Sequence, residues 1–369
     1  MVTASLPRSR FFTFVFLLSL SIIEMAIASL LLENFSGMGW SATFAEDSEG
    51  YLLVTRYFSG EHITATSHAL LRYRLFSPLI PFLVSCLDKV LPLASAFFLI
   101  NSLLWIGATF LFSLFARELL KRDDLAFTCS IIFTTSLPIM VWGLPIMVDM
   151  GGYFFIALVL YGDQKLKSLR GAAVIGTGAG LALLTKPTLA SVLLFLIIYH
   201  VSRREKMRAF IIAVVGLVLV GSVYSYLGLE FKDLLSYSSP RHRGAFYVLN
   251  SLFFCFHGGL ILVLWSWKEL KEKSRFYVLF LLSVLSFYIP FVHNPRLLFI
   301  IYPAVIPLMS VGADTLSLGL SEKFHWDKKA VFRLIIFMLV VVSNLLTGFY
   351  LYMTRTVSLR SIEDLLRGL

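Results

Sequence analysis

The amino-acid sequence predicts an all-α polytopic membrane protein. Of its 369 residues, 58% are hydrophobic and only 15% are charged, whereas charged residues make up about a quarter of an ordinary soluble domain. A soluble fold of this length could not bury so much apolar surface. The apolar stretches are continuous rather than alternating, which favours helices over the strands of a barrel. We therefore expect a single transmembrane domain over residues 1–369 with about eleven spanning helices.

Eleven apolar stretches are the predicted spans. The fourth, fifth and sixth of them are short for a full crossing, which predicts little tilt or a thinned bilayer around them. The first is longer than the apolar core of a signal peptide and lacks a small-residue cleavage site, so we expect it to be retained. The predicted spans are 11–32, 93–116, 125–142, 151–162, 171–185, 188–201, 209–226, 246–267, 276–292, 297–313 and 331–352.

Basic residues alternate between the loops of this predicted topology. Twenty of the thirty-two Lys and Arg residues fall before the first span or in every second connection. Such clusters mark the cytoplasmic side, so we expect a cytoplasmic N-terminus in an integral, multi-pass protein. A bacterial or archaeal plasma membrane is preferred over the endoplasmic reticulum. The net charge of +10 then reflects topology, and the lipid bilayer rather than a nucleic acid is the expected partner.

Two long segments lie on the predicted outer face. The first external loop, residues 33–92, is too long for a simple connection, and loops of that length are usually functional. Its apolar stretch 78–90 is short and ends in Asp88 and Lys89, so we expect interfacial helices in this loop rather than a crossing. Residues 227–245 form the second external loop.

The first external loop contains most of the candidate site residues. Within this loop, the segment 44–51 contains three carboxylates, Glu46, Asp47 and Glu49, and a carboxylate can remove a proton from an attacking hydroxyl. Glu46, Tyr51, Arg72 and Arg74 are candidate substrate-binding residues, and an Arg guanidinium matches the geometry of a phosphate. The alternative interpretation is that these are solvated charges of an ordinary loop.

Three further charged residues fall on the same predicted face. Asp149 precedes the fourth span, at a depth where ionisable groups are often functional, although Asp is also a favoured helix N-cap. Lys186 occupies a turn between two short apolar stretches, where it would bind an anionic head group or extend to the interface. Arg296 departs from the expected distribution of basic residues, which favours a binding role. Asp149 is assigned as catalytic, and Lys186 and Arg296 as substrate-binding.

Nothing in the sequence predicts a cofactor. The three cysteines form neither a CxxC pair nor a cluster with histidine, so a disulfide framework and a zinc site have no support. The predicted cytoplasmic loops contain no Gly-rich phosphate loop. We assign no metal ligands, although a divalent metal ion is left open.

The order of several short motifs resembles a known superfamily. Asp47 and Tyr51 form Asp-x-x-x-Tyr after the first span, and Arg74 begins a stretch containing Ser-Pro-Leu. The segment 180–188, GLALLTKPT, and the segment 296–303, RLLFIIYP, follow in order. This arrangement resembles the GT-C membrane glycosyltransferases, in particular the protein-mannosyltransferase and lipid A aminoarabinose-transferase-like branch.

The resemblance implies a GT-C-like fold and a specific reaction. A sugar would move from a polyprenyl-phosphate donor to a lipid, glycan or protein acceptor on the outer or lumenal face, with inversion at the sugar. Asp47 would be the base or would orient the acceptor, and Asp149 would support the site. Lys186 and Arg296 would be candidates for the lipid phosphate.

Two other functions compete with a transferase. A transporter or a flippase for lipid-linked sugars would have its polar residues near the bilayer midplane, beside broken helices. The polar candidates of this chain instead gather at one rim, which favours the transferase. The remaining alternative is a membrane scaffold without chemistry.

Overall fold

The structure, a computed structural model, describes residues 8–36, 43–63, 67–230, 232, 252–253, 255–288, 295–353 and 359–360. Its regular elements are α-helices joined by short turns and three 3₁₀ segments. The α-helices are α1 (Arg8–Ser36), α2 (Ala45–Phe58), α3 (His68–Arg74), α4 (Leu79–Ser85), α5 (Leu93–Leu120), α6 (Asp123–Thr134), α7 (Leu137–Gly143), α8 (Asp149–Lys165), α9 (Leu169–Thr185), α10 (Ala190–Ser202), α11 (Lys206–Tyr226), α12 (Trp267–Glu272), α13 (Ser274–Tyr288), α14 (Tyr302–Phe324) and α15 (Lys328–Met353).

Short elements complete the described chain. The 3₁₀ segments are Pro187–Leu189, His257–Ser266 and Pro295–Ile301. Two-residue strands, β1 (Thr43–Phe44) and β2 (Leu359–Arg360), pair antiparallel with Thr43 opposite Arg360. This pairing connects the chain after α1 to the chain after α15.

Helix length and hydropathy identify the spans that the described residues support. Five helices are long and apolar enough to cross a bilayer, over Phe12–Glu33, Leu93–Leu120, Lys206–Tyr226, Leu298–Phe324 and Lys328–Thr347. The pair α6 and α7, bent by 47° at its break, makes six if it counts as one span. Three more apolar helices, Leu169–Thr185, Pro187–Ser202 and Ser274–Ser286, are shorter. The chain is therefore a polytopic helical protein, while the count of eleven stays a prediction.

Aromatic side chains fill the centre of the bundle. Trp105 of α5 stacks on Phe133 of α6 with ring centroids 4.5 Å apart, and Phe133 contacts Tyr302 of α14 at 4.8 Å. The Tyr302 hydroxyl donates to the Tyr153 carbonyl oxygen at 2.8 Å. Because lipid provides no hydrophobic drive between helices, dense packing and bonds of this kind have to stabilise their association.

Ion pairs join helix ends at one end of the bundle. Lys165, the last residue of α8, pairs with Glu118 of α5, and Arg122 Nη1 lies 2.8 Å from Asp314 Oδ2 of α14. Lys328, which begins α15, lies 2.8 Å from the other Asp314 oxygen. These residues come from loops that the basic pattern assigns to the cytoplasmic side. Their contacts bring those loops together at one end, and the orientation of that end in the membrane stays a prediction.

The predicted first external loop folds into the short helices α2, α3 and α4. Because each residue of a helix adds 1.5 Å, the seven residues of α4 extend only about 10 Å, far less than a bilayer core. The helical part of the apolar stretch 78–90 is thus too short to cross, as the sequence pattern predicts. Most of the predicted second loop, 227–245, lies outside the described residues.

Candidate active site

Asp47 lies in the first turn of α2 and forms an ion pair with Arg74. An Arg74 Nη2–H donates to Asp47 Oδ1, and the Asp47 side chain keeps 36% of its surface exposed. The carboxylate is thus both oriented by a cation and accessible from the surface. Sequence analysis predicts the pair's members separately, as a base and a phosphate ligand, but not their contact.

Arg74, at the end of α3, lies in a cage of aromatic rings. Its guanidinium carbon is 5.1 Å from the Tyr51 ring centroid and 5.0 Å from that of Tyr73, and Nη1 is 3.4 Å from the Tyr51 hydroxyl. Burial opposes the charge of Arg74, but electrostatic attraction to Tyr51, Asp47 and Tyr73 outweighs it, so the pKa of Arg74 is raised above its ordinary value. Arg74 therefore stays a permanent cation beside Asp47.

Asp149 and Lys186 form a second ion pair. The Lys186 ammonium donates to Asp149 Oδ1, and the two side chains are 15% and 3% exposed. Lys186 ends α9 in an extended conformation, φ −159° and ψ 120°, as expected for a residue before proline. Both residues are therefore drawn inward, and Lys186 does not extend to the interface as a free anchor.

Asp149 is not the N-cap that sequence analysis offers as the alternative. It is the first residue of α8, and Val148 occupies the cap position without a side-chain cap bond. The Asp149 carboxylate instead contacts Lys186. An acidic residue in the first turn still interacts favourably with the helix dipole, so the two effects act together.

Side-chain contacts join the two ion pairs. Ser48, next to Asp47, donates from Oγ to Met147 Sδ at 3.8 Å, and Met147 is two residues before Asp149. Tyr51 of α2, Ile80 of α4 and Met147 belong to one buried apolar cluster. The candidates Asp47, Arg74, Asp149 and Lys186 therefore lie at the same end of the bundle, on adjoining segments.

Three helices, α4, α8 and α9, approach one another closely beside the Asp149–Lys186 pair. A Cβ added at Gly151 of α8 would lie 2.7 Å from Ile80 Cδ1 and 2.8 Å from Thr185 Cγ2. Only glycine leaves room for α4, α8 and α9 to meet at this point. The close packing places Thr185, and with it Lys186, beside the first turn of α8.

Asn101 is a site residue that sequence reasoning misses. Its Nδ2 donates to the carbonyl oxygens of Leu144, Pro145 and Met147 at 3.2, 2.8 and 3.0 Å. These bonds from α5 shape the loop that leads into Asp149. An Asn inside an apolar span is a detectable signal, but the sequence pattern gives it no role in the site.

The remaining candidates are not gathered in the same way. Arg72 Nη2 donates to the Gly228 carbonyl oxygen at 3.0 Å, so it connects α3 to the end of α11. Tyr51 is buried and packs against Arg74 rather than facing an open surface. The backbones of Glu46 and Arg296 lie in α2 and in the segment Pro295–Ile301, but their side chains lie outside the described part of the structure.

The arrangement supports acid–base and anion-binding chemistry on a polar rim. Asp47 is a partly exposed carboxylate, and Arg74 and Lys186 are cations within the same small region. Within the described residues, no three His, Cys, Asp or Glu side chains come together as metal ligands. The question of a divalent metal ion stays open.

Comparison of the fold with solved structures finds an archaeal enzyme. The oligosaccharyltransferase of Archaeoglobus fulgidus in its apo form matches with a TM-score of 0.57 at 12% identity, over 93% of this chain and 56% of that one. The same enzyme tethered to an acceptor peptide containing the NVT sequon matches with a TM-score of 0.55 at 12% identity, over 91% and 55%. Its complex with Zn and sulfate gives a TM-score of 0.53 at 14% identity, over 92% and 53%.

These matches bear on the fold. Oligosaccharyltransferases are GT-C glycosyltransferases, so the likeness supports the expected GT-C fold, although the chain spans only about 55% of the length of those structures. The protein-mannosyltransferase or aminoarabinose branch stays a prediction. No protein-family model matches the sequence, and no curated protein sequence matches it.

Proposed function

We propose that this protein is a membrane glycosyltransferase that moves a sugar from a polyprenyl-phosphate donor to an acceptor at the outer rim of the bundle. The observation that carries the proposal is the convergence of two ion pairs, Asp47–Arg74 and Asp149–Lys186. Their members come from four separate segments of the chain, yet they adjoin at one end of a bundle with a GT-C-like fold. Structural packing alone would not require both pairs at the same rim.

Asp47 is the group best suited to remove a proton. In the proposed reaction, a hydroxyl or amide of the acceptor attacks the anomeric carbon of the sugar. The new bond from the acceptor to that carbon forms while the bond from the carbon to the phosphate oxygen breaks. The acceptor proton passes to Asp47, and the lipid phosphate leaves with the bonding electron pair. Arg74 orients Asp47 and keeps its surroundings positive.

Lys186 is the cation best suited to the departing phosphate. Its ammonium is shared with Asp149, which sets its position, and 15% of its side chain is exposed. A positive group aimed at developing phosphate charge stabilises the transition state more than the ground state. Arg296 is proposed as a second phosphate ligand on the strength of its position in the RLLFIIYP segment.

The acceptor is proposed at the level of chemical class. The A. fulgidus neighbour carries an acceptor peptide, and a peptide, glycan or lipid nucleophile would each suit a carboxylate base. A transporter or flippase is the alternative function. It would need coupling groups near the bilayer midplane, whereas Asp47 and Asp149 begin helices at the rim.

Transfer of label from a polyprenyl-phosphate sugar in reconstituted membranes tests the proposal. Asp47→Asn keeps the size of the side chain but cannot accept the proton, so we expect a loss of about a hundred- to ten-thousand-fold in rate. Asp88→Asn is the matched control, because Asp88 lies in the same loop and contacts Ser59 rather than Arg74. It should retain nearly full activity.

The same assay includes Glu46→Gln. Normal transfer by Asp47→Asn with a crippled Glu46→Gln would show that the neighbouring carboxylate is the base. Full activity of both variants would defeat the site assignment. Movement of an intact lipid-linked sugar across the bilayer, without cleavage of its phosphate bond, would support the flippase instead.

A further inference from the structure

A dense group of cations surrounds several helix ends at the end of the bundle opposite the candidate active site. The segments 163–170 and 200–208 contain seven Lys and Arg residues against two carboxylates. They include the ends of α8 and α10 and the starts of α9 and α11. The proposed transfer reaction uses none of these residues.

The two carboxylates, Asp163 and Glu205, already form hydrogen bonds within a mostly buried network. His200 Nε2 lies 2.9 Å from Asp163 Oδ1, and His200 Nδ1 lies 2.7 Å from Glu205 Oε2. Arg208 Nη2 donates to the same Asp163 oxygen at 2.7 Å. The side chains of Asp163, His200 and Arg208 are at most 6% exposed. The network fixes the ends of α8, α10 and α11 relative to one another.

The cations of this corner outnumber its carboxylates, so the corner has a net positive charge. Lys167, Arg203, Arg204 and Lys206 are exposed, and of these Arg203 also forms an ion pair with Glu205, with Nε 3.4 Å from Oε1. Lys167 Nζ donates to the backbone carbonyl oxygen of Asp163 at 2.6 Å. Burial lowers the pKa of Lys167, and although Asp163 opposes this shift, Arg208 and Arg203 add to it. Nearby cations therefore repel one another here, and an anion would relieve that repulsion.

One buried donor in the corner also lacks an acceptor. Arg208 Nη1 has no hydrogen-bond partner among the described residues, although the Arg208 side chain is only 6% exposed. A buried guanidinium N–H without an acceptor is costly. The buried Arg208 charge therefore adds to the positive field at this corner.

Exposed apolar side chains begin directly beside the cations. Leu169 and Val174 on α9 are 55% and 60% exposed, and Met207 and Phe210 on α11 are 61% and 63% exposed. The two helices pack side by side, because Gly180 and Gly216 allow their backbones to approach. A phosphate at the helix ends would thus be continuous with apolar surface along two spans.

We propose that this corner binds the phosphate of an anionic glycerophospholipid from the adjacent leaflet. Lys167, Arg203, Arg204 and Lys206 contact the head group, and the acyl chains lie along the exposed apolar residues of α9 and α11. A bilayer lipid is the occupant because the cations lie at helix ends next to surface that only acyl chains would cover. Basic residues at this level attract anionic lipid.

Native mass spectrometry of the detergent-purified protein tests the proposal. The full chain is mixed with phosphatidylglycerol or with phosphatidylcholine of the same acyl chains, and bound lipids are counted. We expect retained phosphatidylglycerol but little phosphatidylcholine. The variant Lys167→Gln/Arg203→Gln/Arg204→Gln should bind phosphatidylglycerol at least tenfold more weakly, since each basic residue near anionic lipid contributes on the order of fivefold.

A control variant that loses three positive charges elsewhere tests whether the position of the lost charges matters. Lys268→Gln/Lys323→Gln/Lys329→Gln removes three cations from other helices and should keep the wild-type affinity. Arg204→Gln/Lys206→Gln, in two exposed residues, replaces the triple variant if that variant does not fold. Unchanged binding by the corner variants, an equal loss in the control, or equal retention of both lipids would overturn the proposal.

Discussion

At the scale of single residues, Asp47 and Asp149 are each contacted by a cation. Arg74 contacts Asp47 with one arm of its guanidinium and approaches Tyr51 with the other. Lys186 contacts the buried Asp149 carboxylate. Removing one partner of a buried pair usually costs more than removing both, since the remaining charge stays in a poorly solvated place. This asymmetry provides a test of the second pair.

Lys186→Gln should destabilise the protein by roughly 3 kcal/mol, because it removes the ammonium that contacts the buried Asp149 carboxylate. The double variant Asp149→Asn/Lys186→Gln should recover part of that loss. Thermal unfolding in detergent measures both. Lys121→Gln is the matched control, since its pair with Glu118 is 71% exposed on the Lys side, and it should change stability by less than about 1 kcal/mol. A double variant less stable than Lys186→Gln would contradict this account.

At the scale of elements, small residues determine how two spans pack. A Cβ at Gly176 of α9 would lie 2.8 Å from the Ile212 carbonyl oxygen and 3.0 Å from Val215 Cβ. A Cβ at Gly180 would lie 3.0 Å from the Gly216 carbonyl oxygen. The same two helices carry the proposed lipid-binding corner at one end, and α9 carries Lys186 at the other. Their packing therefore affects both regions.

Gly176→Leu should lower stability, because its side chain would force α9 away from the α11 backbone. Overpacking costs typically about 1–3 kcal/mol, and transfer activity should fall with it as Lys186 moves. Gly221→Leu on α11 is the control, since nothing lies within 4 Å of a Cβ built there. Unfolding temperature in detergent separates the two variants. Equal stability of both would refute the close approach of α9 and α11.

At the scale of the whole molecule, polar residues are sorted to the two ends of the bundle. The Asp47–Arg74 and Asp149–Lys186 pairs occupy one end, while the pairs of Glu118, Asp163 and Asp314 occupy the other. The proposed catalysis at one rim and the proposed lipid-binding corner at the opposite rim are both consistent with such sorting. The proposed mechanism needs no polar binding site near the bilayer midplane, which a transporter would have.

The predicted orientation places the end with the candidate active site outside. In a variant with Cys86, Cys129 and Cys255 replaced, Glu61→Cys should react with an impermeant thiol reagent from outside intact cells. Arg170→Cys should react only after the membrane is opened. Both positions are exposed, so access to the reagent depends on the side of the membrane. The opposite pattern would invert the topology and move the proposed reaction to the cytoplasmic face.

The amino-acid sequence by itself determined the helical membrane character and singled out Asp47, Arg74, Asp149 and Lys186, while the external side of the 33–92 loop stays a prediction. These features depend on local composition: continuous apolar stretches, clustered basic loops and short motifs. Asp149 in particular stands out as a charge beside a span, and the Lys-Pro pair at 186–187 marks the end of a helix.

Only the tertiary structure decided which of these residues meet. Asp47 and Arg74 are 27 residues apart, and Asp149 and Lys186 are 37 apart, so their contacts depend on how α2, α3, α8 and α9 pack. The same holds for Asn101, whose bonds to residues 144–147 shape the approach to Asp149. Helical and apolar periodicity specifies which face of a segment is buried, but many pairings of buried faces satisfy it. The choice among them is made by close approaches at glycines such as Gly151, Gly176 and Gly180, because interhelical distance there depends on both partners at once.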